Sequence, residues 1–163
     1  MQHSDRVGRA RELFAAWSSG DADAPRTLLT EDAVLDDVIG GVHRGWPAIR
    51  AYFQHGLDRY PDLTLVPTGN FWHREDGLAL TWVMSAGVTD DAFGPEARGL
   101  RWTAPGMSFL VFVEDLVVHE VDYHDGGSRQ RSIAAELLHR AGNSGTSGPE
   151  PRPVAPVRLP KPN

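Results

Sequence analysis

In Ala33-Val34-Leu35-Asp36-Asp37 two adjacent carboxylates close an apolar stretch. Side chains of an extended segment point alternately to opposite faces. Ala33, Leu35 and Asp37 therefore share one face, and Val34, Asp36 and Val38 the other. If one face is a core or a pocket, one aspartate sits in it while its neighbour meets water. A carboxyl at the end of an apolar strand face has a raised pKa, which suits a general base. The same residues also fit a strand that runs out into a solvated acidic loop, since charged groups are rarely buried unless paired or functional.

Other chemistries lack their residues. There is no cysteine, so disulfides, thiolate nucleophiles and Cys-based zinc sites are excluded. The seven histidines show no ligand-like spacing. GxGxxG, GxxxxGK[ST], GxSxG and HExxH are all missing. The reading is a protein with no metal and no cofactor. A net charge of −6 argues against a nucleic-acid or anionic-membrane partner, which would need a basic face. No apolar run approaches a membrane span, and the N-terminal residues show no secretory pattern, so the expected location is cytoplasmic.

The elements that must position Asp37 follow from periodicity. Asp5–Ser18 reads as a helix, with Val7, Ala10, Phe14 and Trp17 at three- and four-residue spacing and Ser4 or Asp5 as cap. Asp23–Leu29 reads as a second, short helix. The strand containing Asp37 follows, then a loop over Gly40–Gly45. A third helix starts near Pro47 and runs to about Leu57, with Ile49, Tyr52 and Phe53 as its stripe. Leu63–Trp72 reads as a strand that Pro67 and Gly69 demote to an edge or a bulge. Asp76-Gly77 turns a hairpin into Leu78–Val88, whose face Leu78, Leu80, Trp82, Met84 and Ala86 is the larger.

Thr89–Gly99 reads as a loop and Leu100–Val113 as a long strand, with a bulge or bend at Pro105-Gly106. Leu116–Tyr123 returns. Leu116, Val118, Glu120 and Asp122 share one of its faces, and Val117, His119, Val121 and Tyr123 the other. Arg129–Arg140 makes a last helix with Ile133, Leu137 and Leu138 as its stripe. The fold class is α+β: a cone-shaped, curved antiparallel sheet with helices on its concave side. One domain spans 1–141. The Gly/Ser/Pro-rich tail 142–163, which holds half of the twelve prolines, is expected to be disordered.

Four segments carry a resemblance to a known family: LFAAWSSGDADAPRTLLTEDAV, LDDVIGGVHRGWPAIRAYF, WTAPGMSFLVFVED and HEVDYHD. In this order and spacing, from about Val7 to Ile133, the chain resembles the nuclear transport factor 2-like superfamily. That superfamily includes ketosteroid isomerases, scytalone dehydratases, limonene epoxide hydrolases and SnoaL-like polyketide cyclases. The resemblance implies two aspartates. Asp37 matches the proton-abstracting aspartate of ketosteroid isomerases, and Asp122 the acid/base aspartate on the last strand of SnoaL-like cyclases. The oxyanion partners of the isomerases are not matched, since Leu13 and Met107 stand at their positions, which argues against steroid isomerisation. The cyclase histidine is replaced by Ser108.

The implied function is a cofactor-independent cyclase or isomerase acting on a small apolar metabolite, such as a polyketide intermediate of secondary metabolism. Asp122 or Asp37 would take a proton beside a carbonyl. Tyr123, His124, His43 or Ser108 would donate to the developing oxyanion. Phe14, Trp17, Trp82, Met84 and Trp102 would wall the pocket, if they are not simply core. Epoxide opening or dehydration by the aspartate pair, and ligand binding without catalysis, are the alternatives. The expected assembly is a homodimer.

Overall fold

The computed structural model describes residues 3–89 and 93–143. Helix α1 spans His3–Trp17 and a short 3-10 turn spans Ala24–Leu28. Strands β1 (Leu29–Asp37) and β2 (Gly41–Arg44) precede α2 (Trp46–Arg59). Then come β3 (Thr64–His73), β4 (Gly77–Gly87), β5 (Arg101–Val113) and β6 (Leu116–His124), followed by α3 (Ser128–Asn143). The chain is α+β, as its pattern predicts, in one six-stranded sheet of order β2-β1-β6-β5-β4-β3.

Four of the five strand pairings are antiparallel. The fifth, β1 with β6, is parallel and sets Asp37 beside Asp122. The alternation of β1 is the one expected: Ala33, Leu35 and Asp37 are all buried. Gly45 takes φ 76°, a backbone angle that a side chain disfavours, and so turns the chain into α2 with Pro47 in the first turn. α1 packs on β3 and β4, α2 on β1 and β2, and α3 on β5. Phe14, Leu13, Trp82, Leu80, Trp102 and Leu110 are shut off from solvent between the helices and the sheet. Each such large apolar side chain stabilises the fold by roughly 1.5–3 kcal/mol.

Several local expectations change. The loop at Gly40–Gly45 contains β2, whose short, mostly exposed Gly-Val-His-Arg leaves no burial pattern to read. The second helix is only a 3-10 turn. β3 is an edge strand with a register shift between Pro67 and Phe71, as its Pro and Gly require. At Pro105-Gly106, by contrast, the pairing with β4 runs on without a bulge. Gly106 instead makes room for a ring: a Cβ there would lie 2.3 Å from the Trp82 indole. Leu138 faces solvent while Ile133 is buried. α3 continues to Asn143, past the expected boundary at 141. The rest of the tail, and residues 90–92 of the Thr89–Gly99 loop, lie outside the described residues.

Candidate functional site

The inner ends of β1 and β6 open on a cavity of about 320 Å³. Asp37 comes from β1, Asp122 and His124 from β6, and Tyr52 and Phe53 from α2. Trp17, Leu35, Met84 and Trp102 add apolar wall, and Arg129, the second residue of α3, also reaches it. Strand alternation explains the set on β6. Positions 120, 122 and 124 share the inner face, and Tyr123 points outward.

Asp37 is well supplied with donors. Its Oδ1 accepts the backbone N–H groups of Ile39 (2.8 Å) and Gly40 (2.7 Å), and its Oδ2 lies 3.2 Å from His124 Nε2. Burial pushes its pKa up, but the His124 and backbone hydrogen bonds outweigh burial and hold it at about 2. An ionised carboxylate only accepts, so His124 Nε2 carries the proton between them. His124 Nδ1 is buried with no protein partner. The Tyr52 phenol is held protonated by burial and by the adjacent Asp37 charge.

Asp122 is the opposite case. Burial raises its carboxyl to about 7, against the pull of a Ser108 hydrogen bond, and the Asp37 charge adds to the rise. Trp82 Nε1 donates to Ser108 Oγ at 2.7 Å. An indole N–H can only donate, so the Ser108 proton stays free to be given to Asp122 Oδ1 whenever that carboxyl is ionised. Oδ2 of Asp122 has no donor among the described residues. One turn of pleat deeper, Glu120 is buried and accepts from Trp17 Nε1 at 3.2 Å. Burial first, and the charge of Asp122 next, push its pKa well above the usual carboxylate range. Two neighbouring carboxyls with pKa values driven apart give one fixed anion and one group that exchanges protons near neutral pH.

The expected pKa of Asp37 is thus corrected. The raised carboxyl is Asp122, while Asp37, expected to be raised by its apolar strand, is lowered because three hydrogen bonds outweigh desolvation. Of the other expected residues, His124, Trp17, Met84 and Trp102 line the cavity, and Ser108 reaches it through Asp122. Phe14 and Trp82 are core side chains behind it. His43 is stacked on Tyr52 with ring centroids 4.0 Å apart, outside the cavity lining. Tyr123 does not join the site. It is 51% exposed on the outer face, because it alternates with Asp122. Met107 likewise lines a shallow outer groove, so it cannot occupy an oxyanion position in the cavity.

Tyr52 and Arg129 line the cavity, and Glu120 lies behind it, coupled to Asp122 by charge; none of the three was foreseen. Glu120 alone had a signal, the face it shares with Asp122. No three His, Asp or Glu side chains among the described residues are grouped so as to hold a metal ion. No described helix is long and apolar enough to cross a membrane.

The model of one protein family, the SnoaL-like domain, matches residues 10–120. Asp122 and His124 lie just past that match. No curated protein matches the chain. Among solved structures the chain is similar to IdmH, a candidate polyketide cyclase from Streptomyces antibioticus. The identity is 18% and the TM-score 0.68, covering 82% of this chain and 99% of that one. It is also similar to a candidate polyketide cyclase from Xanthomonas campestris, at 20% identity and TM-score 0.66, covering 80% and 97%. A third is a protein of ketosteroid isomerase-like fold from Catenulispora acidiphila in complex with trimethylamine. There the identity is 15% and the TM-score 0.67, covering 77% and 92%. At these identities the likeness to the three structures is one of fold.

Proposed function

The chain belongs to the SnoaL-like domain family, and on that footing we propose that it is a cofactor-independent enzyme of the cyclase or isomerase type. Its substrate is a small, largely apolar carbonyl compound, such as a polyketide intermediate of secondary metabolism. The observation that carries this reading is the contrast between Asp122, at about 7, and Asp37, at about 2, in one apolar cavity. Asp122 Oδ2 takes the proton from the carbon next to a carbonyl, and the C–H electron pair moves onto the carbonyl oxygen as an enolate. His124, held through Nε2 by Asp37, donates to that oxygen when Nδ1 also carries a proton. The enolate carbon then attacks a second carbonyl, whose oxygen takes the electron pair of its C=O bond and the proton from Asp122, which is cyclisation, or a carbon of the enolate system recovers the proton from Asp122, which is isomerisation. Either way Asp122 ends as it began.

Opening of an epoxide by a carboxylate pair fits less well. Asp37 already accepts from three donors and its lowered pKa makes it a weak base for activating a water. The test is exchange of the acidic C–H of an aromatic β-diketone for deuterium, followed by NMR. Asp122→Asn should slow enzyme-dependent exchange by roughly 10²–10⁴-fold with the fold intact. Full enzyme-dependent exchange by the variant would remove Asp122 as the base, and no exchange above background by the wild type would favour a module that binds without catalysis.

A further inference from the structure

The acid–base reading leaves two arginines of the cavity lining unused, Arg59 and Arg129, and the second is the one with an empty donor. Arg129 lines the cavity, and its guanidinium carbon stands 4.8 Å from the Trp102 ring centroid and 5.7 Å from that of Tyr60. It pairs with no carboxylate among the described residues. Its Nε is shielded from solvent with no hydrogen-bond partner among the described residues. A guanidinium normally fills its donors with carboxylate, phosphate or water, and a buried donor left empty is costly unless something arrives to fill it. The neighbouring acids do not claim it: the groups that set Asp37 and Asp122 are each other, His124, Ser108 and backbone N–H groups. Its charge is nonetheless felt inside, at the Tyr52 phenol. Tyr60 and Trp102 meet edge to face at 75°, so the guanidinium sits in the corner between the two rings, where both attract its charge and N–H groups remain for an acceptor.

We propose that Arg129 is the substrate anchor of this cavity and receives an anionic oxygen, a carboxylate or the oxygen of an acidic enol, on a planar aromatic compound. The aromatic body of such a ligand meets Trp102, Tyr60, Phe53 and Trp17, and its acidic oxygen accepts from the Arg129 edge. Without that cation, an anion in a cavity that already holds ionised Asp37 would be repelled. The proposal names the substrate class for the site read above as acid–base, but its test is binding rather than turnover, so the two can fail separately.

The probes are 2-naphthoate and its neutral methyl ester, titrated calorimetrically into the wild-type protein at pH 7.5 and low salt. Naphthoate should bind at least tenfold more tightly than the ester, and added salt should erode the difference. Arg129→Gln should lower naphthoate affinity at least tenfold and change ester affinity by less than threefold. Arg129→Lys, which keeps the charge but not the fork, should fall between. Equal affinity of wild type for the two probes would overturn the proposal, as would no saturable binding of naphthoate, or equal losses for both probes in Arg129→Gln. The wild-type comparison stands even if a variant fails to fold. It also stands whatever Asp122→Asn does to proton exchange.

Discussion

Asp37 and Asp122 occupy matched positions on the parallel neighbours β1 and β6, and their carboxyls titrate in opposite directions. Asp37 is buried and Asp122 partly so, and desolvation alone would raise both. What separates them is the donor count. Asp37 receives two backbone N–H groups and an imidazole, whereas Asp122 receives one serine hydroxyl. Once Asp37 is an anion, its charge makes ionisation of Asp122 harder still.

The serine sets where the pH profile lies. A base must be ionised to act, so the rate of proton exchange should rise with pH through a limb near the Asp122 value of about 7. Ser108 stabilises the ionised form, so Ser108→Ala should move the limb to higher pH. A limb that stays in place, or moves down, would show that Asp122 is not the titrating base.

Stability should fall where activity rises. Asp122 and Glu120 have folded-state pKa values above their unfolded ones. Below the ordinary carboxylate range both are protonated, folded or not, and nothing is lost. As pH climbs through the raised values the fold must either keep the protons or bury charge, so stability declines. For Asp122, raised from 3.8 to about 7, this costs on the order of 4 kcal/mol above neutrality. Asp122→Asn and Glu120→Gln should therefore unfold at higher urea than wild type at pH 8, with the gain vanishing near pH 4. Glutamine still accepts from Trp17 Nε1. Equal midpoints for the variants and wild type at pH 8 would mean that the carboxyls are not strained.

Gly106 is a packing position. Gly106→Ala puts a methyl 2.3 Å from the Trp82 ring, and overpacking of this kind costs roughly 1–3 kcal/mol. Because Trp82 also holds Ser108, the variant should lose activity along with stability. A melting temperature equal to wild type would show that the indole moves aside freely.

The outer face predicts assembly. Val38 and Tyr123 are each about half exposed beside a groove lined by Pro105, Gly106 and Met107. We expect a homodimer that covers this face, with a light-scattering mass of two chains for wild type and of one chain for Tyr123→Glu. A wild-type mass of one chain would refute it.

Much of this was legible because it is local. Period-two alternation alone places Asp37 with Ala33 and Leu35, and Leu80 with Trp82. The same rule was enough to exclude Tyr123 once Asp122 was chosen, and to include Glu120. What local pattern does not carry is which strands meet. The parallel β1–β6 pairing, the His124–Asp37 contact and the Ser108 bridge all join distant segments. Whether a buried carboxyl goes up or down depends on donors supplied across those pairings. Arg129 lies on a helix read only for its apolar stripe, and its stacking partners come from two other elements.

The parallel pairing also governs how the site comes into being. The partners His124 and Asp37 are 87 residues apart in sequence, so closing that loop is slow compared with forming the β3–β4 hairpin or α1. On a ribosome the first strand emerges long before the last, and Asp37 waits in a chain with no sheet neighbour on that side. The acid pair therefore has no existence in a partly made or partly unfolded molecule. Recovery of activity during refolding should coincide with the slowest step, after helical signal has already returned.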